Sequence, residues 1–135
     1  MIHVIMGLKG SGKTKKLVDS CNTAAATAAG VVVCIEYGNK LTYDVKSSVR
    51  LVNSKEYGIS NSCMLKGLLS GLHAGNYDIT HVYIDNLYKT IGSDRAVGEE
   101  FILWCAEFAK INNMEITLTV SDDPAMASEA VKNFL

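Results

Sequence analysis

The sequence predicts an α/β domain, a three-layer αβα sandwich with a mostly parallel five-stranded sheet. Three observations carry this expectation. Five short apolar runs mark the chain, amphipathic stretches with apolar residues three and four positions apart separate most of them, and the connections are short. A strand, a helix and a return strand pack back on one another as a right-handed parallel unit, so this alternation builds a sheet covered on both faces.

Met1 to Met6 (MIHVIM) is apolar, β-branched and followed by a Gly-rich turn, which predicts a strand buried on both faces. From Lys13 to Ala29 the period changes: Leu17, Val18, Cys21, Ala24, Ala25 and Ala28 share one helix face, and Gly30 stops the helix. Val31 to Glu36 (VVVCIE) is a second buried strand, and after a polar stretch Val49 to Val52 is a weak third one. Asn61 or Ser62 caps a helix carrying Leu65, Leu68, Leu69 and Leu72, with Gly75 and Asn76 at its end. Within it Gly67 and Gly71 form a bare strip suited to close packing on the sheet. His81 to Asp85 (HVYID) is a strand ending in a carboxylate. A polar stretch follows, then a helix marked by Phe101, Ile102, Cys105, Phe108 and Ala109 and widened by Trp104. Glu115 to Val120 (EITLTV) is the fifth strand, and Asp123 with Pro124 form the cap and first turn of a terminal helix.

The 135 residues fit one domain, 1–135, without repeat or linker. Thirteen Lys plus Arg balance fourteen Asp plus Glu to a net charge of −1, and only Arg50 and Arg95 offer forked phosphate contacts, which argues against a nucleic-acid surface. No run approaches the roughly 18 apolar residues of a membrane span, and the start of the chain lacks the pattern of a signal peptide, so a cytoplasmic location is expected. Cys21, Cys34, Cys63 and Cys105 have neither zinc-ligand nor disulfide-framework spacing and are expected to be buried, reduced thiols.

One motif carries chemistry. Gly7-Leu8-Lys9-Gly10-Ser11-Gly12-Lys13-Thr14 is G-x-x-x-x-G-K-T, lying between a strand and a helix. Its glycines permit close backbone approaches, so the amides of residues 8 to 15, Lys15 included, can converge on phosphate at the positive end of the helix. In such a loop Lys13 reaches the β- and γ-phosphates and the Thr14 hydroxyl binds Mg²⁺. The metal needs a carboxylate, and Asp85 closes the only later apolar strand that ends in one; otherwise Asp85 is a cap or turn residue. Asn86 stands next, where many ATPases carry a glutamate.

The Gly7–Thr14 motif, the strand ending in Asp85, and the helix and strand beyond it resemble the RecA-like branch of P-loop NTPases over about residues 1 to 121. The resemblance implies the P-loop NTPase fold with ATP and Mg²⁺ as ligands. It also implies a water-polarising glutamate at the end of the second strand. Glu36, in Val33-Cys34-Ile35-Glu36 and 23 residues after Lys13, is that candidate base; the alternative is a strand-end carboxylate paired with Lys40. Ser121 takes the place of a polar γ-phosphate sensor, with Asp122 acting indirectly, unless both cap the final helix.

The chain is also similar to small stand-alone bacterial P-loop proteins sometimes labelled twitching-motility ATPases. The motility motor itself is far longer and uses an acidic pair and His-bearing boxes, which Asn86 and the scattered His3, His73 and His81 do not supply. Asp85-Asn86-Leu87-Tyr88 is not the D-x-x-G of a Ras-like GTPase, and the zinc ribbon of a RecA-like thymidine kinase is missing.

Two functions are therefore expected in competition. One is an Mg²⁺-dependent ATPase of slow turnover, with Arg95, Arg50 or Lys89 supplied by a neighbouring subunit of a homo-oligomer to face the γ-phosphate. The other is a non-hydrolysing switch or scaffold, in which ATP orders residues 37–48 and 86–98 so that a protein partner docks on Tyr37, Tyr43 or Tyr88.

Overall fold

The computed structural model describes all 135 residues. Strands β1 (Ile2–Gly7), β2 (Val31–Glu36), β3 (Arg50–Asn53), β4 (Ile79–Ile84) and β5 (Glu115–Ser121) form one sheet in the order β1-β5-β4-β2-β3. Every pairing is parallel, so the sheet is wholly rather than mostly parallel. Residues 37–49, the one connection without a helix, still cross back to start β3 at the same end as β2. Helices α1 (Lys13–Thr27), α2 (Ser62–Gly75), α3 (Leu87–Ile91), α4 (Arg95–Ile111) and α5 (Glu129–Lys132) flank the sheet.

The two-residue period of a strand divides the apolar residues between two cores. Val33 and Ile35 of β2 join Leu65 and Leu69 of α2 and Phe101, Ile102 and Cys105 of α4 in a cluster of 23 buried residues. Val32 and Cys34 point the other way, to Leu17, Cys21 and Ala24 of α1, where Tyr83 of β4 and Leu41, Val45 and Val49 of the β2–β3 connection complete a cluster of nine. Hence α1 and that connection cover one face, and α2 and α4 cover the other. At about 1.5–3 kcal/mol per fully buried large apolar side chain, the α2/α4 side supplies most of the stabilisation.

Several expectations are corrected. β1 is not buried on both faces: it is an edge strand, with His3 exposed and Ile5 and Met6 half-buried, because β5 takes the place beside β4. Its outer rim is partly covered by the C-terminal segment, where the Val4 amide donates to the Phe134 carbonyl at 2.8 Å. The segment after Asp85 contains α3, whose Leu87, Thr90 and Ile91 are buried, and α4 begins at Arg95 because Asp94 caps it through the amides of Ala96 and Val97. The terminal helix is broken in two. Asp123 caps a single 3-10 turn, Pro124–Met126, and Ser128 caps α5.

α2 is capped by Asn61, as one of the two candidates, but its Gly67 and Gly71 face open space rather than the sheet. The leucines provide most of its packing face, with His73 against Phe108. Cys63 is exposed, whereas Cys21, Cys34 and Cys105 are fully buried, and all four are free thiols. Burial pushes the Cys105 thiol up, and the Cys34 thiol is raised by a hydrogen bond with Cys21 and by burial.

Candidate functional site

The predicted site residues gather at the carboxyl ends of the strands, on the face that α1 covers. Ile35, Ile84 and Val120 belong to the larger core, so the next residues along, Glu36, Asp85 and Ser121, turn toward α1, as does Thr119. Parallel register aligns these ends: Gly7 lies beside Ser121, and Ile84 lies beside Leu118 on one side and Ile35 on the other.

The loop from β1 to α1 has the local geometry its glycines permit. Gly10 and Gly12 adopt φ of 84° and 83°, a left-handed conformation that other residues rarely take. A Cβ on Gly7 would sit 2.5 Å from Ser11 Oγ, so the bare strand end leaves room for the Ser11 side chain above it. The Ser11 amide donates to the Leu8 carbonyl at 3.1 Å, closing the turn. The amides of Gly12, Lys13, Thr14 and Lys15 donate to no backbone carbonyl. They are the orphan donors of a helix start, and no side chain caps them.

Lys13 is only 8% exposed and lays its ammonium 3.0 Å from the Leu8 carbonyl, across the loop. Leu8, Lys9, Gly10, Ser11, Gly12, Thr14 and Lys15 are open to solvent. A cleft of about 390 Å³ lies over the loop, with Lys9, Lys13, Thr14, Lys15, Thr119 and Ser121 among its walls and no apolar residue. A second cleft of about 160 Å³ shares Thr14 and adds Glu36, Lys40, Asp85 and Lys89. Cavities of about 380 Å³ beside β3 and about 770 Å³ beside β1 lie elsewhere and gather no comparable set of carboxylates, hydroxyls and lysines.

Asp85 follows β4 immediately, and its amide donates to the Ile35 carbonyl at 2.9 Å, continuing the β2–β4 ladder by one residue. Its carboxylate, 9% exposed, accepts the Thr14 hydroxyl at 3.1 and 3.3 Å and the Thr119 hydroxyl at 2.9 Å. Thr119 also accepts the Asn86 amide at 2.7 Å. Asn86 has φ of 53°, a left-handed conformation that asparagine tolerates better than glutamate, which gives a backbone reason for Asn at this position.

Glu36 is 5% exposed, and its two carboxylate oxygens accept the amides of Lys40 at 2.8 Å and Leu41 at 3.1 Å. The partner is thus the Lys40 backbone and not its ammonium. Glu36 ties down the start of the β2–β3 connection, and each oxygen keeps a further acceptor site.

Ser121 lines the loop cleft and caps nothing. Asp122 does not cap either. It takes the Arg95 guanidinium in a fork at 2.8 and 2.8 Å and accepts the Tyr88 hydroxyl at 2.9 Å. Arg95 holds the Asp122 carboxyl well below the usual carboxylate range, with help from Tyr88 and the Asp123 amide. Burial, and then the bond to Asp122, push the Tyr88 phenol up to about 12. Arg95 is therefore committed within its own chain, and Arg50 lies at the β3 edge beside a different cavity.

The structure brings residues 8–15, Glu36, Asp85 and Ser121 together and leaves Arg50 and Arg95 outside the group. Thr119 was not singled out from the sequence, although a signal was present. In Glu115-Ile116-Thr117-Leu118-Thr119-Val120-Ser121 the apolar residues alternate with polar ones, which places Thr119 on the same face as Ser121. The histidines lie elsewhere: His3 contacts Glu115 at 3.2 Å and His73 packs on Tyr77 and Phe108. Compared with known proteins, the chain matches no family model and no curated sequence. No helix is long and apolar enough to cross a membrane.

Proposed function

We propose that this protein binds ATP with Mg²⁺ through residues 8–15 and hydrolyses it slowly, as a P-loop NTPase of the RecA-like branch. The observation that carries the reading is the meeting of Thr14 and Asp85, 3.1 Å apart, beside a loop whose amides at positions 12 to 15 have no backbone acceptor. Orphan amides at a helix start favour an anion, and the all-polar cleft above them suits phosphate better than an apolar ligand. The strand order also supports it: β5 separates β1 from β4, and Thr14 on α1 bridges that gap to Asp85.

A hydroxyl and a carboxylate are oxygen donors of the kind Mg²⁺ takes, with phosphate and water completing its shell. When bound, the metal would neutralise charge on the phosphates. Lys13 would leave the Leu8 carbonyl for the β- and γ-phosphates, Ser121 would face the terminal phosphate, and Glu36 would orient the attacking water.

Calorimetry and phosphate release test this reading. Wild type is expected to bind ATP in millimolar Mg²⁺, and Lys13→Ala to lose that binding. Phosphate release that continues unchanged in Glu36→Gln would remove Glu36 as the base. Absence of binding to any purine nucleotide would end the proposal.

One observation favours the second reading, a nucleotide-dependent switch or scaffold. Glu36 holds the Lys40–Leu41 segment from inside the cleft, and the same connection carries Tyr43, 98% exposed. Tight ATP binding without turnover, with altered hydrogen exchange across residues 37–48, would select it.

A further inference from the structure

The carboxylates of Asp85 and Glu36 share one small cleft with the Thr14 hydroxyl. A magnesium-bound triphosphate is itself a net anion and would add to the charge of these two carboxylates, with Lys9, Lys13, Lys15 and Lys40, besides Lys89, as the lysines lining the two clefts. Like charges in one cleft repel, so a further cation facing the terminal phosphate would be favourable. The sequence pointed to Arg95, Arg50 or Lys89 donated by a second chain. Neither arginine lines this cleft in its own chain: Arg95 is forked onto Asp122, and Arg50 borders the β3 cavity.

Lys89 stands differently. It lines the Thr14–Glu36–Asp85 cleft of its own chain and takes part in none of the five ion pairs of the molecule. Its platform is rigid. α3 is pinned by buried Leu87, Thr90 and Ile91, and Tyr88 ties it to Asp122 at 2.9 Å. The turn before it is set by Asn86, whose amide is held by Thr119. The lysine is therefore carried on the same hydrogen-bonded frame that orients Asp85, four residues earlier. Lys40 lines the same cleft, on the connection that Glu36 fastens.

Resting on the ATP-binding reading above, we propose that Lys89 is the cation that faces the γ-phosphate, supplied in cis, so that the protein distinguishes ATP from ADP without a group from another chain. Lys89 lines the cleft that holds Thr14, Glu36 and Asp85, and in the ATP reading the terminal phosphate would be the one nearest that cleft. A charge-assisted contact made only to the third phosphate separates the two nucleotides by affinity. Lysine serves here as a point charge on a flexible stem, which suits an open cleft better than a planar fork.

The test is calorimetry of the full chain with Mg²⁺-ATP and Mg²⁺-ADP, for wild type, Lys89→Ala, Lys89→Arg and Lys40→Ala, with unfolding midpoints as a check on folding. Lys89→Ala is expected to weaken ATP about tenfold and ADP by less than about twofold, and Lys89→Arg to restore most of the loss. Equal effects on ATP and ADP, or no effect on either, would overturn the role of Lys89 while wild-type binding leaves the nucleotide reading intact. An ATP-specific loss in Lys40→Ala but not in Lys89→Ala would assign the contact to Lys40 instead. Recovery of phosphate release when Lys89→Ala is mixed with nucleotide-binding-deficient Lys13→Ala would show action between chains and overturn the cis arrangement. No binding of either nucleotide by wild type would sink the ATP reading itself, and Lys89 with it.

Discussion

Thr119 on β5 donates its hydroxyl proton to the carboxylate of Asp85, 2.9 Å away at the end of the neighbouring strand, and accepts the Asn86 amide with the same oxygen at 2.7 Å. One buried hydroxyl thus satisfies a buried carboxylate and a buried-side amide at once. It fixes where Asp85 points and how the chain turns into α3. Thr119→Val keeps the shape and removes both bonds, so it is expected to cost about 1–3 kcal/mol in urea unfolding. Weaker Mg²⁺ dependence of ATP binding should accompany that loss. An unchanged unfolding midpoint with unchanged Mg²⁺ dependence would mean that Thr119 does not position Asp85.

The Arg95–Asp122–Tyr88 group makes a pH-dependent contribution whose sign follows from the depressed Asp122 carboxyl. A carboxyl lowered in the folded state contributes stability that is present above its unfolded value of about 3.9 and lost as pH falls below it. Asp122→Asn should therefore lower the urea midpoint at pH 7, and the gap to wild type should narrow on acidification below about pH 4. Tyr88 acts at the other end. Its phenol is raised to about 12, so its contribution is present below its ordinary value of about 10 and lost as pH climbs through the raised value. A gap between wild type and Asp122→Asn that stays constant from pH 7 to pH 2 would refute the coupling.

Two glycines should respond in opposite directions to alanine. Gly7→Ala places a methyl 2.5 Å from Ser11 Oγ and displaces that side chain, so stability should fall and nucleotide binding with it. Adding Ser11→Ala should recover part of the loss. Gly67 lies mid-helix with open space around its missing methyl, so Gly67→Ala should raise stability by about 0.5–1 kcal/mol. Thermal melts of the three variants check this, and a destabilising Gly67→Ala would show that the exposed strip of α2 needs its bare backbone.

Thiol titration reads the burial of the cysteines directly. Native protein should present one thiol to Ellman's reagent, Cys63, and four after denaturation. Cys21, Cys34 and Cys105 are fully buried, which keeps the reagent from them, and Cys34 and Cys105 are also raised above the usual thiol range. Loss of the fast-reacting thiol in Cys63→Ser confirms the assignment; two or more fast thiols in the native state would contradict it.

Much of the architecture is legible along the chain, because strand and helix periods are local properties. Val31–Glu36 is bounded in the fold as its apolar run is bounded in sequence, and α1 starts at Lys13, directly after the glycine that permits the turn. α3 escaped because it is one short turn whose Leu87 and Ile91 are buried by contacts with distant elements rather than by any repeating pattern. The glycine strip of α2 misled for a related reason. Bare backbone permits close packing, but Leu65 and Leu69 decide which face the helix turns inward.

The amino-acid order by itself determined the loop chemistry, since the left-handed angles at Gly10 and Gly12 and the orphan amides after them depend on residues within a few positions of one another. It also determined that Glu36, Asp85 and Ser121 sit at strand ends. Tertiary structure alone decided that these ends adjoin, because strand order is set by which edges pair and which faces the helices bury, a non-local choice. The same packing turned Arg95 toward Asp122, left Lys89 beside Thr14, and gave Thr119 its place between Asp85 and Asn86.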